Sequence, residues 1–127
     1  MALRDFYSNY AVRTALLPAS YAATTNGIAV DVKDCKSAAI HLSVGVITGA
    51  ASFSAKLQES ADNATWNDVP AAQMQSDAPA VLVASFSYRL GYLGGKRYFR
   101  PVLTLASGTS AIMGANAVVE PLIRPVP

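Results

Sequence analysis

The feature that most constrains the fold of this chain is an alternation of apolar residues with small or polar ones. From Ile28 onward it recurs in the short segments GIAVDVKD, SAAIHLSVGVITG and SFSAKLQES. A period of two residues is the pattern of a β-strand with one buried face, so these segments predict strands. In the second segment one unbroken apolar face is formed by Ala38, Ile40, Leu42, Val44 and Val46.

Turn-forming residues separate these segments and four later ones, TWNDVPA, AVLVASFSYRLGYLG, KRYFRPVLTLAS and SAIMGANAVVEPL. No segment carries a long stripe at the helical period, and the best helical candidate, VPAAQMQSD, is long enough for only a turn or two. Short strands at regular spacing predict an all-β fold, either a sandwich or a closed barrel. We expect a single β-sandwich whose core includes Ile40, Leu42, Val44, Phe53, Leu57, Leu103 and Leu105.

The two ends of the chain lack this alternation. Residues 1–27 mix aromatic and small residues without a period, so they are interpreted as an N-terminal arm before a sandwich domain at residues 28–120. Aromatic side chains on an arm need protein to pack against, so we expect residues 1–20 to pack on a neighbouring chain. The residues expected in that contact are Phe6, Tyr7 and Tyr10. Residues 121–127 are proline-rich and are interpreted as a C-terminal tail outside the sheets, which we also expect to pack on a neighbouring chain.

Charged residues make up only 14% of the chain, against about 25% in a typical domain, which favours association with other protein. The net charge of +2 is too small to indicate a nucleic-acid partner. The only histidine, His41, alternates with the apolar face of its segment and should point outward. With one cysteine, Cys35, and no Gly-x-Ser-x-Gly sequence, we expect no catalytic, metal or cofactor site.

The first twenty residues contain Asp5 and several polar residues where the apolar part of a secretion signal would lie, so no such signal is expected. No run approaches the roughly 20 apolar residues of a membrane-spanning helix, so no membrane partner is expected. A chain without cysteine pairs fits a protein made in a reducing cytoplasm.

The segment FSAKLQESADNATWNDVPA, residues 53–71, reads as a hairpin that turns at Asp62-Asn63 and carries the only tryptophan, Trp66. In one interpretation, Trp66 packs over one end of the sandwich and the acidic residues solvate the turn. In the other, a cation or a sugar binds to Glu59, Asp62, Asn63 and Asp68. A calcium site needs about six to eight oxygen ligands, usually from a loop with a glycine. The first interpretation is preferred because this loop has no glycine.

The strongest constellation is YRLGYLGGKRYFRP, residues 88–101, where basic residues interleave with aromatic ones. It predicts a β-hairpin with its turn at residues 93–96. Arginine and tyrosine are enriched at protein interfaces, so we expect a protein–protein contact here. The residues expected in it are Arg89, Tyr92, Arg97, Tyr98 and Arg100. Two alternatives stay open: a solvated hairpin, and a surface for single-stranded nucleic acid, which also uses interleaved basic and aromatic residues.

Two stretches of the sequence resemble a group of small tailed-bacteriophage virion proteins. The first is GIAVDVKDCKSAAIHLSVGVITGAASFSAKLQESADNATWNDVPAA, and the second is YRLGYLGGKRYFRPVLT. Together they lie within residues 24–105. Some members of this group resemble capsid cement or decoration proteins with a jelly-roll-like β-sandwich. The resemblance brings no catalytic residues to this chain.

The resemblance implies a non-enzymatic structural protein that binds the outside of a phage capsid and stabilises it by bridging capsid subunits. Its partners would be the major capsid protein and further copies of itself, in a dimer or trimer, with no nucleic acid and no membrane. It would be made in the host cytoplasm and located on the capsid surface of the virion. The alternatives are a head–tail connector, a tail or fibre-base component, and a carbohydrate- or cell-surface-binding β-sandwich.

Overall fold

The structure, a computed structural model, describes residues 9–122. The predicted contact residues Phe6 and Tyr7 lie outside the described residues, as do residues 123–127 of the predicted tail. The helical candidate in the sequence forms a short 3-10 helix at Ala71–Gln73. The strands of the described range are β1 (Ala11–Tyr21), β2 (Thr25–Asn26), β3 (Val30–Asp31), β4 (Cys35–Thr48), β5 (Ser52–Ser60), β6 (Asn67–Asp68), β7 (Met74–Ser76), β8 (Ser87–Tyr92), β9 (Tyr98–Ser107) and β10 (Ser110–Pro121).

The strands form two antiparallel sheets that pack face to face, which confirms the predicted all-β fold and its β-sandwich architecture. The first sheet has the strand order β1-β10-β4-β8-β7. The second has the order β2-β9-β5-β6, and β3 also pairs with β9. Most strands that are neighbours in sequence lie in opposite sheets, so the chain crosses from sheet to sheet at the two ends of the sandwich.

The core lies between the sheets and is filled by inward side chains from both. Six of the seven predicted core residues are buried, and the seventh, Leu105, is partly buried and packs against them. Phe53 and Phe99, both from the second sheet, are the largest fully buried side chains. The alternation of apolar residues therefore identified the inward faces of β5 and β9, and that of β4 as far as Val44.

The alternation on β4 holds through Val44 and then changes. His41 is exposed on the outer face, as predicted. Val46, predicted to face inward, is 62% exposed, and that prediction is wrong. β4 has an extra residue at the register shift opposite Ile112, and a bulge of this kind reverses which side chains face inward. Ile47 therefore packs against the core in place of Val46.

The predicted N-terminal arm is wrong for residues 11–21, which form β1 at the edge of the first sheet and pair with β10. Ala15 and Leu16 on this strand are buried in the core. Register shifts on both sides of Leu16 break the period of two, which hid the strand in the sequence. Pro18 suggested irregular chain, although an edge strand tolerates proline. The expected packing of residues 1–20 on a neighbouring chain therefore fails from residue 11 onward.

The C-terminal boundary also differs by one residue. Pro121, the first residue of the predicted tail, is the last residue of β10 and pairs with Cys35 on β4. The backbone N–H of Leu122 then donates to the carbonyl of Asp34 at 2.9 Å. A proline is tolerated at this position because it ends the strand and interrupts no hydrogen-bond ladder beyond it.

The predicted strand segment AVLVASFSYRLGYLG, residues 80–94, is regular only in β8. Residues 77–86 instead run irregularly along the sandwich and close it on one side. The N–H of Leu82 donates to the carbonyl of Phe53 on β5 at 2.9 Å, and the N–H of Ser85 donates to that of Gly45 on β4 at 3.1 Å. This segment therefore bridges the two sheets where neither has a regular neighbouring strand.

Candidate functional site

The basic and aromatic segment 88–101 is not the hairpin that the sequence predicts. Its first strand, β8, belongs to the first sheet and its second, β9, to the second sheet, so residues 93–97 cross one end of the sandwich. Both strands send an aromatic ring into the core: those of Tyr92 and Phe99 stack with their centroids 4.9 Å apart. The predicted contact residues are consequently spread over both outer faces and one end of the molecule.

Tyr92 lies inside the molecule, so its predicted place in a surface contact is wrong. Its side chain is 6% exposed, and its hydroxyl donates to Glu59 Oε1 at 2.7 Å. The same hydroxyl accepts the N–H of Lys96 at 3.0 Å, which fixes the crossing loop to the core. Burial and the Glu59 carboxyl together raise the pKa of Tyr92 to about 12, because both disfavour the phenolate.

Arg97 lies at the end of the crossing loop and forms a two-pronged ion pair with Asp31 on β3. Its Nε donates to Oδ1 at 3.1 Å and its Nη2 donates to Oδ2 at 2.8 Å. The Arg97 hydrogen bond lowers the pKa of Asp31, and the same contact raises the pKa of Arg97. The guanidinium also lies over the ring of Tyr98, 4.9 Å from its centroid. This pair joins β3 to the loop between β8 and β9.

Arg100 lies on the outer face of the second sheet, in contact with the only tryptophan. Its guanidinium stands 4.2 Å from the centroid of the Trp66 ring, and it donates twice to Gln58 Oε1, at 3.1 and 2.8 Å. Burial lowers the pKa of Arg100, because a desolvated guanidinium is less stable as a cation. Trp66 is half-buried by this contact and is not part of the core. Sequence reasoning placed Trp66 over an end of the sandwich and missed its partner.

The polar network around Trp66 continues along the same face. Gln58 Nε2 donates to Asp68 Oδ1 at 3.1 Å, and Lys56 Nζ lies 3.1 Å from the same oxygen. These two contacts lower the pKa of Asp68, with the Gln58 hydrogen bond as the larger cause. The hairpin of β5 and β6 is therefore held by side chains as well as by its short backbone ladder.

The acidic residues of this hairpin do not converge on a common point. Asp62 Oδ1 accepts the N–H of Ala64 at 2.9 Å and that of Thr65 at 3.0 Å, and these bonds lower the pKa of Asp62. Asn63 takes a φ of 60° at the tip of the turn. Glu59 points inward to Tyr92, away from the turn. The structure therefore does not bring together the oxygens proposed for a cation or sugar site.

The remaining predicted contact residues lie elsewhere. Arg89 is on the outer face of the first sheet, where its N–H and Nε donate to Asp77 at 2.7 and 3.2 Å. These bonds lower the pKa of Asp77. Tyr10 is half-buried beside a shallow cavity of about 510 Å³ on the first sheet. Arg89 and Arg100 therefore face opposite sides of the sandwich and do not share one surface.

Six charged residues lie at the end of the sandwich formed by residues 31–36 and 93–97, which we call the charged end. Exposed lysines there are Lys33, Lys36 and Lys96. A groove of about 590 Å³ runs between Arg13 on β1, Lys33 and the Arg97–Asp31 pair. Basic groups outnumber acidic ones on these two segments. Sequence reasoning missed Arg13, Lys33 and Lys36 because they come from segments distant from residues 88–101.

Within residues 9–122, no three His, Cys, Asp or Glu side chains lie close enough to hold a metal ion. In the same range, no helix is long and apolar enough to cross a membrane. No protein-family model matches this chain, and no curated protein matches its sequence. The fold places the protein in the class of two-sheet β-sandwiches. One end of its sandwich is charged.

Proposed function

We propose that the protein is a non-enzymatic structural protein of a bacteriophage virion, a cement protein that binds the outside of the capsid and bridges capsid subunits. The observation that carries the proposal is the strand order. With β2 and β3 taken as one interrupted strand and β7 as an added edge, the sheets read β1-β10-β4-β8 and β2-β9-β5-β6. We interpret this order as that of a jelly roll, an architecture used by viral capsid proteins and lectins.

Several charged side chains bind to neighbouring parts of the fold, and this also supports a structural role. The pair Arg97–Asp31 holds a loop to a strand, Asp62 shapes a turn, and the Glu59 carboxyl accepts a hydrogen bond from inside the core. Catalytic sites gather groups with perturbed pKa values around one cavity. Here such groups are distributed along the molecule, each next to the backbone or side chain that it stabilises.

The contact surface in this proposal is the charged end, with Tyr98 and Arg100 beside it. Its exposed lysines and Arg97 suit a partner surface rich in carboxylates, because complementary charge speeds association and fixes orientation. Tyr98 adds an apolar ring with a polar tip, a combination common at protein interfaces. Each contact of this kind contributes modestly, and a capsid repeats it at every symmetry-related position.

The experiment is a decoration assay with purified protein and particles of the parent phage that lack it. The variant is the double substitution Lys36→Glu and Lys96→Glu, which reverses charge at two exposed positions of the charged end. The matched control is Arg89→Glu on the outer face of the first sheet, where the side chain is 81% exposed. We expect the double variant to lose most of its particle binding and the control to retain it.

Copy number in the particle tests the proposed location. A cement protein is present at each repeated capsid seam, so we expect it throughout the shell in a cryo-EM reconstruction. A single ring of copies at one vertex would replace the cement role with that of a head–tail connector or tail component. Particles that bind no protein at all would contradict both.

A carbohydrate-binding sandwich is the second candidate, and Trp66 is the observation that favours it. This half-buried indole lies on an outer face beside Gln58 and Asp68, whose polar groups suit sugar hydroxyls. Arg100 covers one face of the ring, so a sugar would stack on the other. Binding in a glycan screen that disappears in Trp66→Ala, while the charge-reversed variant binds normally, would favour this function over the cement role.

A further inference from the structure

Charge is absent from long parts of this chain. Residues 14–30, 37–55, 78–88 and 101–119 contain no Asp, Glu, Lys or Arg. These four stretches come from different regions of the sequence, yet each includes a chain segment at the end of the sandwich opposite the charged end. The fold therefore concentrates uncharged chain at one place on the molecule.

The strand registers show how the four stretches meet. Thr48 on β4 and Tyr21 on β1 lie beside the first residues of β10, and Ser52 on β5 pairs with Ser107 on β9. Residues 81–86 join them through the hydrogen bond from Leu82 to Phe53. We call the surface formed by residues 46–51, 81–86 and 107–112 the uncharged end.

The uncharged end carries exposed apolar side chains. Ile112 lies against Gly45, next to Val46, and residues 85–86 are hydrogen-bonded to the same part of β4. The ring of Phe86 stacks on that of Tyr88, with centroids 6.2 Å apart, and is 57% exposed. The exposed apolar residues of this surface are Val46, Val81, Val83, Phe86 and Ile112.

We infer that the uncharged end is a contact surface for a second copy of this chain, with the same residues of each copy facing one another. A surface without ionisable side chains fits another such surface, because contact between them buries no unpaired charge. The identical surface of a second copy meets that condition, and two-fold symmetry brings the two together. The opposite arrangement, with the uncharged end against a charged end, would bury ion pairs such as Arg97–Asp31.

The share of the surface that such a partner must cover is small. A stable protein interface covers about 800 Å² on each side. The chain exposes 7295 Å² in total, so about a tenth of its surface has to be covered. The inference concerns the isolated chain and does not rest on the proposed capsid role.

The test is the mass of the purified full chain in solution, measured by sedimentation across a range of concentrations. We expect a discrete species of twice the 13.3 kDa chain. Phe86→Asp should raise the dimer dissociation constant at least about 30-fold, the effect of a central interface residue. The control is Leu93→Asp, because Leu93 is 58% exposed, nearly the same as Phe86, and lies at the charged end. This control should remain a dimer.

Ile112→Lys is a second variant, on a different strand of the same surface, and should weaken the dimer in the same direction. Circular dichroism confirms folding of each variant. An unsubstituted chain that stays monomeric at every concentration overturns the inference, as does a mass that grows without limit. A dimer that resists both substitutions, or that Leu93→Asp also dissociates, places the contact elsewhere and overturns it too.

Discussion

At both the charged end and the uncharged end of the sandwich the chain turns from one strand into the next, but different interactions hold the turns. At the charged end side chains fix the turns: Asp31 Oδ1 accepts the N–H of Lys33 and the Tyr92 hydroxyl accepts the N–H of Lys96. At the uncharged end the backbone conformation fixes them. Gly49, Ala50 and Gly108 there take positive φ values of 65°, 52° and 93°.

The turns at the two ends should therefore differ in which changes destabilise them. Turns held by ionisable side chains respond to pH, salt and side-chain substitution, whereas turns held by backbone conformation respond chiefly to changes at glycine. The two ends also differ as surfaces, since the charged end exposes charged groups to water and the uncharged end exposes apolar ones. Substitutions of exposed residues at the uncharged end should therefore change self-association, and substitutions of turn-holding side chains at the charged end should change folding stability.

The largest expected effect tests whether one core supports both ends. Phe99 lies near the charged end and Phe53 near the uncharged end, and both are fully buried. Substitution of either by Ala should lower the free energy of unfolding by about 3 to 5 kcal/mol, the usual cost of a large core cavity. Denaturant unfolding measures both. A much smaller loss for Phe53→Ala would mean that the uncharged end is not packed as part of the same core.

The next effect compares one glycine from each end. A Cβ added at Gly108 would lie 2.2 Å from the Cα of Ala51, and its φ of +93° is strained for any other residue. Gly108→Ala should therefore destabilise the protein by roughly 3 kcal/mol. Gly95 at the charged end has no atom within 4 Å of its added Cβ, so Gly95→Ala should change stability by less than about 0.5 kcal/mol. Equal thermal shifts in the two variants would contradict the proposed division between backbone and side-chain turns.

Alkaline pH should act on the charged end through Tyr92. The unfolded chain releases this proton near its ordinary pKa of 10.0, whereas the folded chain keeps it until about 12. The unfolded state thus binds fewer protons in this interval, so the stabilisation is complete below pH 10 and is lost as the pH rises through 12. The loss amounts to roughly 2 to 3 kcal/mol.

Tyr92→Phe is the comparison for this prediction, because it removes the ionisable hydroxyl and keeps the stacked ring. It also leaves the buried Glu59 carboxyl without its donor, so the variant should be less stable than the unsubstituted chain at neutral pH. The stability gap between the two proteins should shrink above pH 10. A gap that stays constant up to pH 12 would show that Tyr92 does not titrate as its surroundings require.

The sequence predicted what depends on local pattern. An uninterrupted period of two over residues 38–44 of β4 and over β5 was sufficient to identify their inward faces, since side chains alternate strictly along a regular strand. Where a bulge adds a residue, the same reasoning failed: it placed Val46 in the core and overlooked β1. Bulges are defined by the partner strand, so they leave no reliable pattern in a single sequence.

The candidate site was predicted less well because its geometry depends on which sheet each strand joins. Residues 88–101 have the pattern of a hairpin, yet the core accepts Tyr92 and Phe99 from opposite sheets. That crossing separates the arginines and buries one predicted contact residue. The partners of Arg97 and Arg100, namely Asp31 and Trp66, lie far away in sequence, and no local signal connects them.

The smallest expected effect concerns the contact of Arg100 with Trp66. Arg100→Ala removes a cation over the indole ring and two hydrogen bonds to Gln58, in a partly exposed setting. The free energy of unfolding should fall by only about 1 kcal/mol. Because Trp66 is the only tryptophan, its fluorescence reports this contact directly, and the emission should shift to longer wavelength as the ring becomes exposed to water.

Arg89→Ala is the matched control, since Arg89 also forms an ion pair but lies on the opposite outer face, away from Trp66. It should leave the tryptophan emission unchanged and alter stability by a similarly small amount. An emission shift in both variants would mean that the two outer faces are coupled through the core. No shift in Arg100→Ala would mean that Trp66 is shielded by other groups, and the carbohydrate-binding alternative would then lose the exposed ring that supports it.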